Sequence, residues 1–202
     1  MEKSIFDTSF QQEHVSNKIV VGLERISEVF RTLLWEQAKQ VGVSPIQIQI
    51  LIFIAHHKSE LCKVSHLAKE FNLTKPTISD AVKALEHKKL IIKDFSEADN
   101  RSYIIVLSEK GKTVVASTST FANPLKTQLE TFNEAQLNSV YATLTKLIHN
   151  LNKTGMISVQ RSCYACAFHT KNQGSDYCNF LQKPLMTNDI RLDCPEYSEK
   201  TG

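Results

Sequence analysis

Glycine and proline are scarce, six and five among 202 residues, and tryptophan occurs once. So few backbone breakers exclude a collagen-like or low-complexity chain and leave most of the length for packed structure. No stretch approaches the roughly 18 consecutive apolar residues of a membrane span. The start, Met1-Glu2-Lys3-Ser4-Ile5-Phe6-Asp7, lacks a basic segment running into an apolar one. The expectation is a cytoplasmic protein with no membrane partner. Paired carboxylates, a nucleophile beside a base and a glycine-rich phosphate loop are also missing, which argues against an enzyme. The net charge of +3 admits a polyanionic partner without requiring one.

Helical periodicity dominates the first two thirds. Ile19, Leu23, Ile26, Phe30, Leu33 and Leu34 recur at intervals of three and four and place one apolar stripe on a long first helix. Gly42 ends it, and Ser44-Pro45-Ile46-Gln47 combines a capping serine, a proline in the first turn and a glutamine placed for a capping box. The helix that follows is apolar nearly all round, through Ile46, Ile48, Ile50, Leu51, Ile52, Phe53 and Ile54, so it should be central. Glu60-Leu61-Cys62 reads as a short strand. A brief helix from Lys63 to Phe71 then meets a turn at Asn72-Leu73. Thr74 can cap a further helix from Lys75 to about Lys89.

Leu90 to Phe95 and Tyr103 to Leu107 are β-branched runs joined by a polar loop, a hairpin pattern. Ser108 can cap another helix that continues to Phe132 with a kink at Pro124, and a last helix displays Leu137, Val140, Tyr141, Leu144, Leu147, Ile148 and Leu151 up to Gly155. Two short helices, a tight turn and a polar-tipped hairpin form a winged helix-turn-helix. The fold class is mainly α with a small β-hairpin wing, a helical dimerisation region and a small Cys-rich appendage at the carboxyl end. The divisions are 1–40 and 111–155 for dimerisation helices, 41–110 for the winged helix-turn-helix and 156–202 for the appendage.

The second helix of the pair leaves Lys75, Thr77, Ser79, Asp80 and Lys83 on its polar side. Such a helix suits the major groove of double-stranded DNA, with nearby lysines available to phosphates. Arg101 at the hairpin tip has little structural reason to be there and points to a further DNA contact, whereas Asp80 reads equally as a solvated acid.

Leu67-Ala68, Leu73-Thr74-Lys75-Pro76-Thr77-Ile78-Ser79, Leu85-Glu86, Leu90-Ile91, Asp99-Asn100-Arg101-Ser102 and Val106-Leu107-Ser108-Glu109-Lys110-Gly111 together resemble the MarR regulators over roughly residues 15–152. The resemblance implies a homodimer built by the first helix and the last two, with the recognition helix in the major groove. Carried over by position, it places Arg101 near the minor groove and Asp99 as the aspartate that pairs with or orients it. Lys63 stands where many relatives have a capping threonine or serine.

Beyond Gly155 that pattern ends. Cys163, Cys166, Cys178 and Cys194 are separated by two, eleven and fifteen residues, with Tyr164, Phe168, Tyr177, Phe180 and Tyr197 close by. A segment this short buries little core, so four thiolates on a metal would supply its folding energy. Structural zinc sites usually present two close pairs, and only one exists here. One close pair and two distant single cysteines are similar to high-potential iron-sulfur proteins, though the intervals differ. A four-iron four-sulfur cluster is narrowly favoured over structural zinc. His169 reads as solvated and Cys62 as a packed small hydrophobe. The functional expectation is a transcription regulator tuned by a small-molecule effector or by the metal state of the tail. An electron-transfer protein using the winged helix as scaffold is the alternative.

Overall fold

The computed structural model describes residues 3–95, 103–172 and 174–200. Helix α1 runs from Val15 to Val41 and is tied at its start by the Asn17 amide, which donates to the Phe10 carbonyl at 3.0 Å. It ends at Gly42, whose φ of 67° lets the chain turn sharply. Helix α2 (Pro45–His56) leaves at 89° to α1. The Gln47 side chain accepts from the Ser44 amide at 3.0 Å, as the capping-box spacing predicts. Ile48, Ile50 and Leu51 are fully buried, so α2 is the central helix.

Around it pack α3 (Val64–Glu70), α4 (Lys75–His87), the hairpin β1 (Ile91–Asp94) and β2 (Ile104–Leu107), and α5 (Glu109–Thr118). One core joins Leu67, Ile78, Val82, Leu85, Ile105 and Val115 to α2. The hairpin is antiparallel, with Ile91 opposite Leu107 and Asp94 opposite Ile104. The strand expected at Glu60–Cys62 is instead a 3-10 turn over Ser59–Leu61. Among the described residues it is the Cys62 carbonyl that joins the sheet, accepting from the Ile105 amide at 2.9 Å, because the turn leaves no extended length for a ladder.

The helix expected to kink at Pro124 is broken into α5 and α6 (Asn123–Leu129). Proline in the first turn of α6 cannot donate to the preceding turn and clashes with it, so residues 119–122 leave the helical path. Helix α7 (Glu134–Lys153) starts from a reciprocal capping box between Asn133 and Gln136. Among the described residues no single helix is long and apolar enough to cross a membrane.

The appendage is small. Strands β3 (His169–Asn172), β4 (Ser175–Cys178) and β5 (Lys183–Pro184) form an antiparallel sheet in sequence order. Two further segments pair beside it, the Cys163 amide donating to the Arg191 carbonyl and the Cys194 amide to the Arg161 carbonyl, each at 3.0 Å. The Tyr141 hydroxyl on α7 donates to the Ile190 carbonyl at 2.5 Å and fastens the appendage to the helical body.

Candidate functional site

Helix α4 is the element on which the predicted contacts converge. Thr74 caps it, its hydroxyl oxygen accepting from the Thr77 amide at 3.3 Å and sharing a hydrogen bond with the Thr77 hydroxyl at 2.8 Å. The turn before it passes through Asn72 with φ of 52°, and Leu73 donates back to Ala68 at 2.9 Å. Ile78, Ala81, Val82 and Leu85 hold one face in the core, which leaves Lys75, Thr77, Asp80 and Lys83 exposed on the other and Ser79 half-buried at its margin. Lys83 pairs with Asp80 at 3.2 Å across one turn, so Asp80 is a partner of the helix's own lysine. An exposed pair of this kind is worth at most about 1 kcal/mol and exchanges readily for another anion. Asp99 and Arg101 lie outside the described residues.

The base of the hairpin is tied to α4 by charge and by rings. Lys93 contacts Glu86 at 2.6 Å and sits 5.1 Å from the centre of the Tyr103 ring, which in turn lies 5.5 Å from Phe95. Its ammonium is thereby occupied within the chain rather than held out as a phosphate contact. Helix α3 has no side-chain cap at Lys63, as the missing threonine or serine implies. A groove over the α3–α4 turn is lined by Lys69, Thr74, Lys75 and Thr77.

The four appendage cysteines come together. Cys163, Cys166, Cys178 and Cys194, all free thiols, line one cavity of about 30 Å³ whose walls include Phe168, Phe180, Leu181 and Leu185. The Arg191 amide donates to Cys163 Sγ at 3.2 Å and its guanidinium to Cys194 Sγ at 3.7 Å. Burial pushes the Cys163 thiol above its ordinary pKa, against the lowering effect of that amide. Among the described residues no group of three or more His, Cys, Asp or Glu side chains is arranged to hold a metal ion. The cysteines therefore surround a common space without closing on one point. His169, expected to be solvated, starts the edge strand β3 half-buried and is turned inward, its ring 5.5 Å from that of Tyr164 and its Nε2 2.9 Å from Asp176. Cys62 is buried, its thiol pushed up to about 11 chiefly by desolvation and secondly by Glu60, which fits a packed and unreactive side chain.

Sequence reasoning missed Arg161. Its side chain is 9% exposed and joins the appendage to the helix-turn-helix. It donates to both Glu70 oxygens at 2.6 and 3.1 Å and to both Asp193 oxygens at 2.7 and 3.0 Å, with Phe53 beneath it at 5.5 Å. His57 stacks on Phe53 at 3.8 Å, takes the Phe53 carbonyl at 2.9 Å and reaches Asp193 at 2.7 Å. The Phe53 contact fits the dipole role that a histidine at the end of α2 suggests. Burial disfavours the Arg161 charge, but Asp193 and Glu70 more than offset it and keep the guanidinium firmly protonated. Burial would also raise Asp193, yet the hydrogen bonds from Arg161 and His57 hold its carboxyl below the usual range. His66 rests 3.7 Å from Glu70 and is turned toward the same network. The only sequence clue was adjacency: Arg161 and Asp193 each stand next to a cysteine segment.

Comparison with known proteins fits this geometry. Residues 41–102 match the model of the MarR family. The crystal structure of the S. aureus MepR–DNA complex is 25% identical with a TM-score of 0.58, covering 69% of this chain and 99% of MepR. A MarR transcriptional regulator from Methanosarcina mazei Go1 has the same fold at 20% identity and a TM-score of 0.56, covering 67% of this chain and 98% of its own. Among curated proteins none matches the chain. Nearly all of each structural relative is used while much of this chain is left over. The cap, the turn, α4 and the first strand of the hairpin lie within the segment that matches the MarR family model, and the chain shares the winged helix-turn-helix fold of these solved regulators.

Proposed function

We propose that the protein is a homodimeric transcription regulator that binds double-stranded DNA through α4 and the hairpin. The geometry of α4 carries the reading: a capped helix of 13 residues with one face locked in the core and Lys75, Thr77, Asp80 and Lys83 presented on the other. A helix exposed along one side fits the roughly 12 Å major groove, and its lysines can displace phosphate counterions. That MepR, 25% identical, was solved with DNA supports the same use of the fold here. The family is one of regulators rather than enzymes, in keeping with the absence of a catalytic pattern from the sequence.

Dimerisation follows from what a single chain leaves uncovered. Ile19, Leu23, Ile26 and Phe30 on α1 and Val140 and Leu147 on α7 are between 36% and 50% exposed. Two apolar stripes left uncovered on α1 and α7 are best covered by a second copy. The test uses a duplex selected from random-sequence DNA by the protein. Lys83→Ala and Arg101→Ala should each weaken binding by roughly tenfold and reduce the salt dependence by about one unit of slope per lost phosphate contact. Unchanged affinity and slope in both variants would remove this surface from DNA.

A further inference from the structure

The appendage cannot hold itself together by apolar burial. Its cluster of buried residues is Cys163, Leu185 and Ile190, with Tyr164 and Cys178 packed against them. Two of those five are cysteines. A core of this size needs a covalent or metal staple, and the thiols are free rather than disulfide-bonded.

Three observations define the staple. Four thiols supplied by three separate segments, the Cys163–Cys166 turn, β4 and the loop at Cys194, line one small cavity. Two of the sulfurs already accept hydrogen bonds from Arg191, an arrangement that favours thiolates and does little for neutral thiols. The third is the openness of the set. A single zinc with bonds of about 2.3 Å draws four sulfurs to within roughly 3.8 Å of one another and leaves no space between them. These four line a common cavity, and among the described residues no three of them are arranged around a single ion. A polynuclear cluster separates its thiolates and occupies the space.

The same segments hold the clamp. The Cys194 amide is bonded to the Arg161 carbonyl, Asp193 precedes Cys194, and the Arg161 guanidinium spans from Asp193 to Glu70 on α3. Ser158 adds a hydrogen bond at 3.2 Å to Asn72, in the turn that sets α4. Order in the cysteine segments is therefore order at the base of the helix-turn-helix.

We infer that Cys163, Cys166, Cys178 and Cys194 hold a four-iron four-sulfur cluster, and that the Arg161–Glu70 clamp transmits its presence to α3 and the turn before α4. The regulatory meaning rests on the DNA-binding reading; the cluster and the clamp do not.

The experiment uses the full chain purified without oxygen. About four iron and four acid-labile sulfide per chain, with visible absorption, are expected. One zinc per chain, or no metal, overturns the cluster. Cys178→Ser should lose the iron. Amide hydrogen exchange over residues 64–73 should be at least fivefold faster in Cys178→Ser than in the loaded protein. Glu70→Gln, which lies outside the appendage, should keep its iron and show the same acceleration. Unchanged exchange in loaded Glu70→Gln overturns the clamp. If loaded protein with its expected iron selects no duplex, the DNA reading fails while the cluster stands.

Discussion

At Gly111 the backbone of α5 passes so close to the hairpin that a Cβ would lie 2.0 Å from the Leu90 carbonyl oxygen. The approach is fixed by Ser108, whose hydroxyl donates to the Lys89 carbonyl at 2.7 Å and accepts from the Gly111 amide at 3.0 Å. No rotamer relieves a clash with backbone, so Gly111→Ala must move the helix away from the sheet. We expect a loss of about 1–3 kcal/mol, as overpacking typically costs, read as a lowered urea midpoint; an unchanged midpoint would mean that the helix shifts freely. Gly111 is visible in the sequence only as part of a motif, because the close neighbour that demands it is distant in the chain. Arg161 is a sharper case. Its partners Glu70 and Asp193 lie 91 and 32 positions away, and no periodicity reports such a pairing. Two cysteine segments and a helix must first be brought together before an arginine between them has any meaning.

Elements were legible where a local rule sets them. The Ser44–Gln47 box, the Thr74 cap, Gly42 after α1 and the Ser108 cap each mark a boundary through hydrogen bonds that span four residues or fewer. The buried face of α4 follows from Ile78, Val82 and Leu85 at helical spacing, and its polar face follows with it. Elements misread were those decided by neighbours. Glu60-Leu61-Cys62 reads as a strand, yet among the described residues its link to the sheet is one hydrogen bond, from the Ile105 amide to the Cys62 carbonyl. Pro124 correctly signalled a disturbance, but whether a helix kinks or breaks depends on what packs at residues 119–122, and Phe121 there sits 4.9 Å from Phe30 of α1 in an edge-on contact. Lys93 is one of the lysines near α4, and its sequence context does not reveal that Glu86, the penultimate residue of α4, pairs with it.

On the scale of the whole molecule, the uncovered stripes of α1 and α7 and the exposed face of α4 require each other. A groove-reading helix gains specificity when two copies are held at a fixed spacing, and the stripes are what would hold them. Leu147→Glu places a charge where apolar contact is expected, and an unpaired charge at a closed interface is costly. Sedimentation should show a monomer and DNA affinity should fall together; a stable dimer of this variant would take Leu147 out of the interface. The appendage was legible as four cysteines and as a metal-sized problem of stability, whereas its docking on α3 and α7 was not, since nothing in residues 156–202 alone names Glu70 or Tyr141 as partners. The most direct measurement of the central claim is selection of duplexes from a random-sequence pool by the full-length protein, followed by sequencing. The account predicts enrichment of a two-fold symmetric site whose half-sites lie about one helical turn, roughly 34–36 Å, apart. Enrichment of no sequence, or of a single asymmetric half-site, would contradict it.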